Sequence, residues 1–119
     1  MTKIVIIDDN EAILEAVKIA LDGSGYDVIT STKGEDFIPT IAKIKPSVVL
    51  LDLLLSGEDG REVAKALRNN KDTKNIPIIL ISADPGAEKI AKDGGIDGFL
   101  SKPFDLDRLL AAVSDCVCD

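Results

Sequence analysis

The sequence predicts an open α/β domain, a parallel sheet with helices on both faces. Three observations predict it. Short apolar runs alternate with stretches of helical periodicity along the chain, three of those runs have no polar residue at all, and 119 residues leave room for one core. The runs are Ile4 to Ile7, Tyr26 to Thr30, Val48 to Leu51, Ile78 to Ile81 and Gly98 to Ser101. The first, third and fourth are apolar throughout and rich in Val and Ile, as parallel strands covered on both sides are, so they are expected to build the heart of the sheet. Strict alternation of strand and helix requires right-handed crossovers.

The helices follow from periodicity and caps. Ile13, Leu14, Val17 and Leu21 share one helical face, Asn10 and Glu11 stand where capping is needed, and Gly23 stands at the expected C-terminal cap. The second helix, around Glu35 to Ile44, carries Pro39 early, so it is expected to begin later than its polar lead-in. Val63, Ala64 and Leu67 mark a third helix. The last shows Leu106, Leu109, Leu110, Val113 and Val117 on one stripe, with Asp105 as its N-cap. Residues 1–119 read as one domain.

Composition removes several classes of function. With 14 Lys and Arg against 21 Asp and Glu the formal net charge is −7, which offers no basic face for nucleic acid. There is no histidine, so Ser-His-Asp and Cys-His catalysis, most zinc sites and a phosphohistidine on this chain are excluded. Cys116 and Cys118 are too close in sequence to staple two elements and read as helix-end thiols in a reducing compartment. The apolar run that begins at Ile4 is too short for a signal peptide or membrane span, which points to a cytoplasmic protein without a membrane partner.

In open α/β sheets the ligand site lies beyond the carboxyl ends of the strands. Read to those ends, this sequence has Asp8 and Asp9 after the first strand, Asp52 after the third, Ser82 after the fourth and Lys102 after the fifth. A single such acid is commonly a helix cap. Together, unit charges about 4 Å apart repel by roughly 4 kcal/mol at an effective dielectric near 20, and one lysine cannot offset three carboxylates. A divalent cation can. The donors are all hard oxygens, which suits Mg²⁺, with Mn²⁺ as a substitute, and Mg²⁺ held by few carboxylates is typical of phosphoryl transfer.

The pair Asp8-Asp9, the run Val48-Val49-Leu50-Leu51-Asp52-Leu53, the turn Gly57-Glu58-Asp59-Gly60, Ser82-Ala83, and Gly98-Phe99-Leu100-Ser101-Lys102-Pro103-Phe104 together resemble the receiver domain of two-component response regulators. The likeness runs from Lys3 to the last helix. It implies a flavodoxin-like (βα)5 fold with strand order 2-1-3-4-5. It implies Asp52 as phosphoacceptor, Mg²⁺ held by Asp8, Asp9, Asp52 and the carbonyl of Leu54, Ser82 and Lys102 on the phosphoryl oxygens, and a cis Lys102–Pro103 bond. It implies a histidine kinase or histidine phosphotransfer protein as donor, and a module that assists its own phosphorylation and dephosphorylation. Ser82 and Phe99, at the ends of adjacent strands, would form the switch. The sequence departs from the family at Ser56, where proline is common, at Phe99, where tyrosine is usual, and in a shorter stretch from Ser82 to Lys102. Ending just after the fifth helix, the chain reads as a stand-alone regulator or a piece of a larger one.

Two other readings use the same architecture. A flavodoxin-like mononucleotide binder would need a glycine- or hydroxyl-rich phosphate loop after the first strand, where Asp8-Asp9-Asn10 would instead repel phosphate unless a metal intervened. A receiver-like adaptor that is never phosphorylated would have no use for the full marker set.

Overall fold

The computed structural model describes residues 2–55 and 57–117. Ser56 and Cys118, both singled out above, lie outside them. Five strands, β1 (Lys3–Ile7), β2 (Asp27–Ser31), β3 (Val48–Asp52), β4 (Ile78–Ser82) and β5 (Gly98–Ser101), form one parallel sheet in the order β2-β1-β3-β4-β5. This is the 2-1-3-4-5 order expected. The three runs without a polar residue are the three central strands. Every residue of β3 and β4 is buried, and so is every residue of β1 after Lys3, because a central parallel strand meets a neighbour on each edge and helices on each face.

Side-chain parity divides the core. Val5, Ile7, Val49, Leu51 and Leu80 face α2 (Ile38–Ile44), α3 (Gly60–Asn69) and α4 (Ala87–Asp93). Ile4, Ile6, Val48, Leu50, Ile79 and Ile81 face α1 (Glu11–Asp22) and α5 (Leu106–Val117). The lead-in Glu35–Phe37 is a 3₁₀ turn, and α2 starts only at Ile38 with Pro39 in its first turn, where its missing N–H costs nothing. Gly23 does cap α1, but in the right-handed region; the left-handed residue is Gly25, at φ 94°.

Two expectations are corrected in detail. Leu106, placed on the apolar stripe of α5, is 49% exposed at the first position of the helix; Leu109 and Val113 are the buried residues that carry the packing. Phe99 is the second residue of β5 rather than its end: it pairs with Leu80, while Ser82 pairs with Ser101. Cys116 is half-buried against the α1/α5 core, and burial, with Asp97 and Asp115 nearby, pushes its thiol above the ordinary range, which makes it a poor nucleophile. Among the described residues no helix is long and apolar enough to cross a membrane.

Candidate functional site

The strand order reverses between β1 and β3, and the acids stand at that crevice. Asp8 and Asp9 follow β1, and Asp52 is the last residue of β3, one position earlier than a residue beyond the strand. Asp8 and Asp52 are buried and Asp9 is exposed. One carboxylate oxygen from each of the three lies within 4.8 Å of the others.

The helix-cap alternative for these acids can be tested directly. The cap of α1 is Asn10, whose side-chain oxygen accepts from the N–H groups of Ala12 at 3.0 Å and Ile13 at 3.2 Å. Asp8 uses Oδ1 to accept from Asn10 N–H at 2.9 Å, which holds its carboxylate at the crevice. The N-cap of α1 is thus Asn10, and Asp8 supports it through the Asn10 N–H.

Lys102, directly after β5, reaches across the sheet ends. Its ammonium donates to Asp8 Oδ2 and to Asp52 Oδ2, each at 3.2 Å. Burial pulls the Lys102 ammonium down, but the charges of Asp52 and Asp8 and its hydrogen bonds to both outweigh it, so its pKa is raised above the ordinary lysine value. By linkage, a raised lysine stabilises the fold fully below its unfolded pKa and loses that contribution only as pH rises through the folded one. Lys102 therefore stays charged throughout the neutral range. The Lys102–Pro103 peptide is cis.

Ser82 ends β4 and is buried, and its Oγ accepts from Asp84 N–H at 2.9 Å in the turn before α4. Phe99 is half-buried and packs on the core that includes Ala87 and Ala91 of α4. Leu54 lies just past Asp52, in a two-residue strand, Leu54–Leu55, that pairs antiparallel with Glu58–Asp59. Gly60 presses on this segment: a Cβ there would collide with the Asp52 carbonyl oxygen and lie 2.7 Å from Leu53 Cα, so only glycine lets α3 start so close to Asp52. A groove of about 420 Å³ between α3 and α4, floored by Ala64, Leu80, Ile90 and Ile96, contains none of these site residues.

Asp8, Asp9 and Asp52 carry three negative charges, of which the Lys102 ammonium balances one, so a divalent cation complements the rest of this group of four. The donor set is all oxygen, which fits Mg²⁺. At 4.8 Å two unit charges repel by about 3.5 kcal/mol at a dielectric of 20 and by about 1 kcal/mol in water. Asp9 is on the wet side, so the smaller figure applies to it. Asp9→Asn is accordingly expected to raise the melting temperature in EDTA by about 3 °C and to weaken Mg²⁺ binding. Calorimetry and thermal melts check both, and an unchanged Mg²⁺ affinity would remove Asp9 from the site.

Glu58 was legible in the sequence only as part of the Gly57-Glu58-Asp59-Gly60 turn; its long-range role, taken up below, has no local signal.

Comparison with known proteins agrees with this geometry. The family model for the response regulator receiver domain matches residues 4–114. The chain is 37% identical over 115 residues, 95% of its length, to the DNA-binding dual master transcriptional regulator RpaA of Synechocystis, covering 48% of that protein. It is 33% identical over 113 residues to protein PilG of Pseudomonas aeruginosa, covering 93% of this chain and 84% of PilG. A putative response regulator from Chloroflexus aurantiacus superposes with a TM-score of 0.91 at 29% identity, over 99% of this chain and 98% of its own. Chemotaxis protein CheY4 of Vibrio cholerae gives 0.89 at 28%, over 98% of both chains. The chain spans about half the length of RpaA and of the MprA response regulators it also matches. From crevice, fold and likeness alike, this chain belongs to the receiver-domain family of two-component response regulators.

Proposed function

We propose that residues 1–119 act as one receiver unit in which Asp52 accepts a phosphoryl group from the phosphohistidine of a histidine kinase or histidine phosphotransfer protein. The observation that carries this reading is the buried Asp52 carboxylate, set among Asp8, Asp9 and the Lys102 ammonium at 3.2 Å. An Asp52 oxygen attacks phosphorus, the P–N bond to the donor imidazole breaks as the new P–O bond forms, and the imidazole leaves with its electron pair and takes a proton. Lys102 offsets charge on the transferring oxygens, and the Ser82 hydroxyl donates to one of them. Asp8, Asp9, Asp52 and the Leu54 carbonyl would hold Mg²⁺, or Mn²⁺ in its place, and the ion supplies positive charge to the same oxygens when bound. By the same contacts the protein assists its own phosphorylation and dephosphorylation, in the cytoplasm. Incubation with acetyl phosphate and Mg²⁺ is expected to add one phosphoryl group by intact mass; no addition would sink the reading.

The switch follows from Ser82. Ser82 Oγ accepts from Asp84 N–H, which ties down the turn before α4, while its O–H is the group a phosphoryl oxygen would engage; drawing the hydroxyl toward that oxygen would move Oγ away from Asp84 N–H and loosen the turn, and Phe99 packs on the α4 side. Without a hydroxyl, Phe99 has no polar tip to keep wet, so its inward position is populated before phosphorylation. Beryllofluoride with Mg²⁺ is expected to move the resonances of Ser82, Ala83 and Phe99 together, and Ser82→Ala to leave Phe99 unmoved. Phe99 ring signals that stay fixed while those around Asp52 shift would exclude this route.

A further inference from the structure

Glu58 does something a solvated turn residue would not. Its two carboxylate oxygens each accept from a backbone N–H more than twenty positions away in sequence: Oε1 from Gly34 at 2.9 Å and Oε2 from Glu35 at 2.9 Å. Those N–H groups open the 3₁₀ turn Glu35–Phe37, which leads directly into α2 and has no side-chain cap of its own. An ionised acceptor on two N–H groups at a helical start is a strong, directional contact. Gly34 is buried, and a Cβ on it would lie 2.6 Å from Val63 Cγ2 and 2.8 Å from Glu58 Oε2, so the close approach requires glycine.

The other side of the contact is the segment after Asp52. In the short antiparallel ribbon Glu58 stands opposite Leu55 and Asp59 opposite Leu54. Asp59 caps α3 through Arg61 N–H at 2.9 Å, while Glu58 caps the approach to α2. Successive residues of one strand thus fasten the ribbon to two different helices, and Gly60 N–H closes it onto the Leu53 carbonyl at 2.7 Å. The ribbon begins two residues after Asp52 and contains Leu54.

We propose that Glu58 is a positioning residue for the phosphoryl-transfer site: by clamping the Leu54–Asp59 ribbon to the start of α2, it holds the Leu54 carbonyl in place for the cation. This rests on the reading of the site given above. A mobile ribbon would have to be ordered each time the ion binds, and the clamp removes that cost in advance.

The test uses Glu58→Ala and Glu58→Gln in the full chain, with Mg²⁺ affinity by calorimetry, acetyl phosphate labelling by intact mass, and amide exchange by NMR. Glu58→Ala is expected to weaken Mg²⁺ binding about tenfold, within the usual loss for a residue that supports a metal ligand from behind. Labelling should slow by a similar factor at limiting Mg²⁺ and recover at saturation, and Glu58→Gln, which keeps one acceptor oxygen, should fall between. Coupling is reciprocal, so Mg²⁺ added to the unmodified chain should slow exchange of the Gly34 and Glu35 amides. That measurement decides the matter if Glu58→Ala does not fold. A lower melting temperature with unchanged Mg²⁺ affinity, or amide exchange indifferent to Mg²⁺, would overturn the proposal and leave Glu58 a purely structural clamp. An unmodified chain that neither binds Mg²⁺ nor takes label would overturn the underlying reading of the site as well.

Discussion

Asp52→Asn is expected to lose phosphorylation by acetyl phosphate and Mg²⁺ almost entirely, at least about a hundredfold, as is usual when a nucleophile is removed. The side-chain amide keeps the size of aspartate but has given up the anionic oxygen that attacks phosphorus. The variant should nonetheless fold. Asp52 is buried among like charges, so exchanging its charge for an amide lowers the repulsion with Asp8 and Asp9 while the amide oxygen can still accept from Lys102. Melts in EDTA are therefore expected to show no loss of stability. Intact mass after labelling, with peptide mapping of the unmodified chain, checks the assignment. Undiminished labelling of Asp52→Asn would place the phosphoryl group elsewhere.

Lys102→Ala should act with the opposite sign on stability and a different signature on function. Its ammonium is the cation seen bridging Asp8 and Asp52. Without it two buried carboxylates face each other, and removing one partner of a fully buried pair costs about 3–5 kcal/mol. Lys102 keeps 22% of its side chain in water, so a smaller loss of about 2 kcal/mol, or roughly 8 °C, is expected in EDTA. Mg²⁺ should restore most of it, because the ion supplies the missing charge to the same oxygens. The raised Lys102 pKa keeps the difference between unmodified chain and variant flat from pH 6 to 9 as far as this group is concerned; the stabilisation fades only as pH climbs past the ordinary lysine value. On phosphorylation the single charge of the Asp52 carboxylate is replaced by a phosphoryl group of about two negative charges, a net gain of about one, so Lys102 matters more than before it. Some labelling should persist in Lys102→Ala while the beryllofluoride response at Phe99 disappears. Full retention of that response would make Lys102 a structural counter-ion only.

Much of the site was legible because open α/β folds place function at strand ends, and strand ends can be found from the apolar runs. Asp8, Asp9, Asp52, Ser82 and Lys102 each abut such a run; the structure brings Asp8, Asp9 and Asp52 together with Lys102 at the carboxyl ends of β1 and β3, and Ser82 ends β4 with its carbonyl accepting from Lys102 N–H at 2.9 Å. The capping of α1 by Asn10 and of α5 by Asp105, whose Oδ1 accepts from Arg108 N–H at 2.8 Å, was equally readable, since a cap is a contact across three residues. Glu58 was not, because its partners Gly34 and Glu35 lie 24 and 23 positions away and nothing local distinguishes a carboxylate that reaches them from one in water.

What the sequence alone determined is what depends on near neighbours and on burial averaged over both faces: five strands, their helices, the three central runs and the acids that end them. The tertiary structure decided what depends on the closing of the chain. It set Phe99 two positions short of Ser101, left Leu106 half exposed at the start of α5, buried Asp8 under a lysine 94 residues away, and brought Glu58 to the turn that leads into α2. The physical reason is that a periodic pattern specifies which side of an element is apolar, whereas the partner met at a given point follows from the register of distant strands and the footprint of packed helices.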